Sequence, residues 1–320
     1  MKLATLRTRH PDGELVLVSR DLSRMVRAAD IAPTLQAALD DWDAVRPALE
    51  ERARAAEQPG AAAFDQRQAH SPLPRAYQWV DGSTYQAHND RMAQWIGRPL
   101  DPRFGKEPFM YQGASDHFIS PTSDIAGFSE EWGIDYEGEI AVITGPVPLG
   151  TPAARAGSLI RLVMLCNDIS LRNLIPPELS KNFGFVQSKA TSSFAPVAVT
   201  PDELGTAWRD CRLHGRLVSS VNGACFGDPQ AGLMLHGFDE LIAHVAKTRS
   251  LAAGSIIGGG TVADPDPARG TSCITERRVV ELLRDGAATT PYLHRGDRVR
   301  LEMVDDAGQS IFGAIDQQVI

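Results

Sequence analysis

The stretch Gly133-Ile134-Asp135-Tyr136-Glu137-Gly138-Glu139-Ile140-Ala141-Val142-Ile143-Thr144 decides how this chain is read. From Glu139 to Thr144 it reads as a β-strand, and Gly145-Pro146 ends it. Glu137 and Glu139 stand two apart at the start of that strand. The period of two places both carboxylates on one face. Side by side they repel, and they need a cation, a shared proton or open water. The plainer alternative is a solvated edge, the usual place for a glutamate.

Two further acids extend the pattern. Asp168 ends the apolar run that starts at Leu159 and includes Leu162-Val163-Met164-Leu165-Cys166-Asn167. It either caps the following turn or is a ligand held on rigid backbone. Asp81, in Trp79-Val80-Asp81-Gly82-Ser83, has the same two readings. Four carboxylates with almost no soft donor beside them would suit a hard cation (Mg²⁺, Ca²⁺ or Mn²⁺) and not Zn²⁺ or copper. Periodicity does not say whether they meet in space.

Around this centre the chain has two textures. Lys2–Arg7 and Glu14–Ser19 read as short strands joined by a Pro11-Asp12-Gly13 turn. Residues 32–57 carry Leu35, Leu39, Trp42, Val45 and Leu49 at helical spacing, with Pro47 expected to break or kink the helix. Residues 58–74, rich in Ala, Gln, Pro and Ser, read as a linker. The expected division is a small N-terminal α/β domain with its linker at 1–72 and a β-rich domain at 73–320. Within the latter, Arg212–Val221 followed by Asn222-Gly223 predicts a hairpin, and 238–249 an amphipathic helix. Val279 to Ile320 reads as alternating strands and turns. The fold class is therefore β-rich α+β.

With 32 basic and 40 acidic residues among 320, the net charge is −8, so the whole chain is a poor polyanion binder and no nucleic-acid partner is expected. Apolar types make up 43%, enough for a sizeable core. Cys166, Cys211, Cys225 and Cys273 form no C-x-x-C pair and read as reduced thiols. The charged N-terminal residues do not resemble a signal peptide, and the run 251–263 is too short and glycine-rich to span a bilayer. The expectation is a cytoplasmic protein with no membrane association.

Over residues 75–320 the chain resembles the fumarylacetoacetate hydrolase superfamily. The resemblance rests on D-G-S-T-Y-Q-A-H at 81–88, M-Y-Q-G-A-S-D at 110–116, G-I-D-Y-E-G-E at 133–139, N-D-I-S-L-R at 167–172, Q-S-K at 187–189, G-G-G-T-V at 258–262 and S-C-I-T-E at 272–276, in that order. Residues 1–72 resemble, more loosely, the small extra domain of longer members. The resemblance implies a mixed β-sandwich or β-roll catalytic domain, a homodimer, and a divalent cation (Mg²⁺ foremost, Ca²⁺ or Mn²⁺ otherwise) on Asp81, Glu137, Glu139 and Asp168. It implies as substrate a small 2-oxo or β-diketo acid such as fumarylacetoacetate or a related acylpyruvate, cleaved by water at a C–C bond, with a place in aromatic-compound breakdown such as tyrosine degradation. Decarboxylases, hydratases and isomerases share the scaffold and are the alternative. A non-catalytic acid binder is disfavoured by the presence of His88, Glu276 and Lys189.

The same resemblance assigns roles. His88, one of eight histidines, is singled out by its motif position alone as the base; an ordinary imidazole titrates near ~6.5 and can take a proton at neutral pH. Glu276 would orient it, unless it merely pairs with Arg277 or Arg278. Lys189 and Arg172 would stabilise developing negative charge. Tyr111 and Thr261 would bind substrate, and the Gly258–Gly260 run would let backbone approach closely beside Thr261. There are departures from the pattern. Ser83 stands where longer members have a substrate-binding tyrosine, though Tyr85 is near. The segment 173–179 supplies neither the glutamine nor the tyrosine found there, for which Gln187 would compensate. Arg91 occupies the position, three after the histidine, where shorter members carry a glutamate.

Overall fold

The strand Gly138–Thr144 lies inside a twelve-stranded sheet. The computed structural model describes residues 1–97 and 99–320. From one edge the strands run Ala62–Ala63, Arg24–Arg27, Glu14–Val18, Lys2–Leu6, Val197–Val199, Ile160–Leu171, Gly138–Thr144, Ile256–Thr261, Trp79–Gly82 and Met110–Gly113. Thr191–Phe194 and Ile134–Asp135 also pair with Ile160–Leu171. Ile256–Thr261 and Trp79–Gly82 pair in parallel, and the strands flanking them add antiparallel. A second sheet of four strands has the order Ala224–Gly227, Leu217–Val221, Arg298–Met303 and Ile315–Gln318.

Alternation along the central strands sorts the core into two layers. Trp79, Ala141, Ile143, Leu162, Met164 and Cys166 face one side, against Leu35, Leu39, Trp42 and Leu49 from the helices Leu35–Asp40 and Trp42–Ala56. Val80, Ile140, Val142, Val163, Leu165 and Ile257 face the other. There they meet the helix Phe238–Ala246 and Leu217, Val299, Leu301 and Met303 of the smaller sheet. The architecture is thus a β-rich α+β sandwich in which the N-terminal strands continue the main sheet, with Lys2 opposite Val199.

Several sequence expectations shift in detail. The helical region near residues 32–57 breaks at Asp41, whose φ of −127° is not helical, while Pro47 lies inside the second helix. In the second turn Pro47 forfeits one backbone hydrogen bond without ending the helix. The linker-like stretch 58–74 is laid against the sheet: His70 donates its N–H to the Thr5 carbonyl, and the Thr5 hydroxyl donates to Pro72. Asp168 does not end its strand, which continues to Leu171 through pairing with Thr191–Phe194 and Ile134–Asp135, with Ile169 and Leu171 buried. The region from Val279 opens in a helix, Ile274–Asp285, and not in strands. The β-branched Val279-Val280 suggested a strand, but Cys273 caps the N-terminus and Gly286, at φ +78°, ends the helix in the left-handed conformation. The Asn222-Gly223 hairpin forms as expected, with positive φ at both residues. All four cysteines are free. Among the described residues, no helix is long and apolar enough to cross a membrane.

Candidate active site

Four adjacent strands, three of them bearing an acid and the fourth a glycine gap, bring the acids together. Glu139 lies opposite Cys166 on the next strand, so Asp168, two residues on, shares its face. On the other side Gly258 lies opposite Ala141 and also opposite Asp81. A Cβ on Gly258 would sit 2.2 Å from Asp81 Oδ1, so only glycine leaves room for that carboxylate. Past Gly258 the register slips, Gly260 takes φ +83°, and its N–H donates to Asp81 Oδ1 at 3.1 Å. Thr261 then falls opposite Glu139.

Asp81, Glu139 and Asp168 are all buried, and each offers an oxygen within 4.8 Å of the others. Both Glu139 oxygens lack a hydrogen-bond partner among the described residues. Burial, then the neighbouring Asp168, pushes the Asp81 carboxyl well above its usual range; burial and then Asp81 do the same to Glu139. Around this trio stand two cations. Lys189 Nζ donates to Asp168 Oδ2 at 2.6 Å and to Glu137 Oε2. Arg172 donates to Asp135 at 2.8 Å and to Glu137 at 2.7 Å. Burial would raise the Glu137 carboxyl, but Arg172 and Lys189 outweigh it and hold it low. The Tyr111 and Ser192 hydroxyls donate to Asp168 Oδ2 and Oδ1.

These residues fit a hard cation. Five buried carboxylates (Asp81, Asp135, Glu137, Glu139 and Asp168) face two cationic side chains, which leaves uncompensated negative charge when all are ionised. When ionised, Glu139 is an acceptor only and has no donor among the described residues. Oxygen donors at this density suit Mg²⁺, Mn²⁺ or Ca²⁺.

His88 and Glu276 approach from two helices. His88 is the third residue of Gln86–Ile96 and Glu276 the third of Ile274–Asp285. His88 Nδ1 lies 2.8 Å from Glu276 Oε2, and the guanidinium of Arg91 holds Oε1. The second helix is tied to the sheet by Asp135, whose carboxylate accepts the N–H groups of Ile274 and Thr275 as well as Arg172. Glu137 forms a β-bridge with Cys273, immediately before that helix.

Of the ten residues singled out in the sequence, Asp81, Glu137, Glu139, Asp168, Lys189, Arg172, Tyr111 and Thr261 are joined by side-chain contacts or strand register, while His88 and Glu276 form a second pair linked to them through Asp135 and the Glu137–Cys273 bridge. Asp81, Glu139 and Asp168 form the close trio. Glu137 stands beside it, occupied by Lys189 and Arg172. Arg277 and Arg278 do not pair with Glu276; they lie over the rings of Phe226 and Tyr292. Tyr85 is a packing residue, its hydroxyl donated to the Ala231 carbonyl, and the side chain of Gln187 is exposed. Sequence reasoning gave no role to Asp135, Ser192 or Arg91. Asp135 was within reach of the same period of two that linked Glu137 to Glu139, and Arg91 of the helical spacing from His88.

A buried acid trio on a broad sheet and a histidine–carboxylate pair on two helices make up the candidate active site of this β-rich α+β fold. Residues 78–320 match the family model for the fumarylacetoacetate (FAA) hydrolase C-terminal domain, and residues 1–75 that for fumarylacetoacetase N-terminal domain 2. The chain belongs to the fumarylacetoacetate hydrolase family. An uncharacterized protein of Pyrococcus horikoshii is 28% identical over 167 residues, 51% of this chain and 70% of that protein. Among solved structures, maleylpyruvate hydrolase of Sphingobium sp. SYK-6, in complex with manganese(II) and pyruvate, superposes with a TM-score of 0.67 at 18% identity, covering 100% of this chain and 99% of that one. The 5-carboxymethyl-2-hydroxymuconate delta-isomerase of Mycobacterium smegmatis gives 0.61 at 19% identity, covering 100% and 98%. At such identities these two likenesses speak for the fold alone.

Proposed function

We propose that the protein is a metal-dependent hydrolase that cleaves a C–C bond of a β-diketo acid of the acylpyruvate type. The observation that carries this reading is the buried trio Asp81, Glu139 and Asp168, with both Glu139 oxygens unpartnered, beside the His88–Glu276 pair. Asp81, Glu139 and Asp168, with Glu137 as a fourth carboxylate, would hold the divalent ion. When bound, the ion would supply Lewis acidity and a template for two substrate oxygens.

The chain's own groups then account for the proton traffic. Glu276 accepts Nδ1–H of His88, leaving Nε2 as the base that takes a proton from water. The hydroxide adds to the ketone carbon, and the C–C bond breaks with its electron pair going to the pyruvate fragment as an enolate. The proton returned by His88 reaches the enolate carbon, so one water and one diketo acid give two acids. Lys189 and Arg172 lie where they offset negative charge as it accumulates, and Tyr111 and Thr261 supply hydroxyls toward the substrate.

The test follows the absorbance of a synthetic acylpyruvate with Mg²⁺ or Mn²⁺, with and without EDTA, in the wild type and His88→Ala. Two acid products, lost on chelation and in the variant, are the expected result. Release of carbon dioxide, or a rearranged product of unchanged mass, would move the assignment to a decarboxylase or an isomerase. No turnover of any 2-oxo acid would reject it.

A further inference from the structure

Glu276 is fully buried, yet neither of its oxygens is idle. One takes the His88 contact; the other is held by the Arg91 guanidinium, which is itself fixed from behind by a 2.8 Å hydrogen bond from Nη2 to the Asp264 carbonyl. Arg91 follows His88 by three residues, so both side chains leave the same face of one helix and reach the same carboxylate on another. A buried carboxylate left with only the imidazole contact would be poorly satisfied and free to rotate. Arginine stays charged and offers a planar fork of donors, so it pins the orientation of the carboxylate. Arg91 also lines a cavity of ≈ 490 Å³ with Arg269, Arg277 and Arg284.

We propose that Arg91 is a positioning residue for His88. By clamping Glu276 it keeps Oε2 on Nδ1, fixes the tautomer with the proton on Nδ1, and leaves the free lone pair on Nε2. Its kinetic consequence rests on the hydrolase reading above; its structural consequence does not.

Arg91→Met and Arg91→Lys separate the two. In the substrate-free protein, the low-field proton resonance of the His88 Nδ1–H is assigned by its absence in His88→Gln. Arg91→Met is expected to lose or broaden that resonance and Arg91→Lys to restore it. On an acylpyruvate, Arg91→Met is expected to lower kcat roughly 10- to 100-fold. KM and the thermal stabilisation by Mn²⁺ should stay unchanged, and lysine should recover most of the loss. An unchanged resonance with kcat within a few-fold of wild type would overturn the proposal. So would a loss of signal and activity that lysine fails to rescue and that tracks a lowered Tm, because that is the signature of a mere tie between helices. If the wild type turned over no acylpyruvate, the hydrolase reading would fail while the resonance still decided the role of Arg91.

Discussion

On the sheet, Asp81, Glu139 and Asp168 crowd like charges together and leave two oxygens of Glu139 without a donor. On the helices a few residues away, His88, Glu276 and Arg91 form a set in which each buried charge is answered. The contrast shows how a fold places groups that repel. Strands hydrogen-bonded on both sides hold side chains that would otherwise move apart, whereas two helices suffice where the side chains attract one another. The sheet region is costly to fold until something positive enters it; the helix region is satisfied as it stands.

The largest effect expected from this contrast concerns the trio. Glu139→Gln should abolish the thermal stabilisation by Mg²⁺ or Mn²⁺ and lower turnover by roughly 1,000-fold or more, since a bound cation supplies several kcal/mol of charge stabilisation. The metal-free variant should melt no lower than metal-free wild type, because one repelling charge is gone; paired melting curves with and without EDTA check this. Next, His88→Ala should cost about 100- to 10,000-fold in kcat while keeping the full metal-dependent rise in Tm, which would show that the two regions act separately. If that rise vanished too, the division drawn here would be wrong.

Gly258→Ala should act on the sheet region alone. Its methyl would meet Asp81 Oδ1 and the Trp79 ring, so metal-dependent stabilisation should drop and Tm should fall by the equivalent of about 1–3 kcal/mol of overpacking. The smallest effect sharpens the comparison by removing a confounder. Burial, with His117 and Arg7 nearby, lowers the His70 pKa to about 4. Between that value and the ordinary imidazole range the unfolded chain binds the extra proton, so stability falls as pH drops from roughly 6.5 towards 4, by about 1–3 kcal/mol after solvent screening. His70→Gln should flatten this acid slope in denaturant titrations without altering the metal response.

The central strands were legible because a strand buried on both faces is written as an apolar run, and the acids because a period of two is short enough to read directly. Glu139 shows this best; Glu137 lies just before the strand and beside the close trio. The helix Ile274–Asp285 was less legible, since Val279-Val280 has strand-like chemistry and the deciding signals were its terminal residues, Cys273 and Gly286. Asp168 lies inside a strand because pairing with Thr191–Phe194 extends that strand, a long-range effect that no local window contains. The meeting of His88 with Glu276, 188 residues apart, came from resemblance and not from spacing. Arg91 was visible only as a departure from a pattern. Its reach to Glu276 depends on how two helices face each other, which a linear reading does not show.

Asp135 gives the two regions a common dependence. One carboxylate anchors Arg172, which steadies Glu137, and at the same time holds the first N–H groups of the helix that carries Glu276. A change at position 135 would therefore unsettle the acidic cradle and the seat of Glu276 in one step, so neither can be retuned through this residue without disturbing the other.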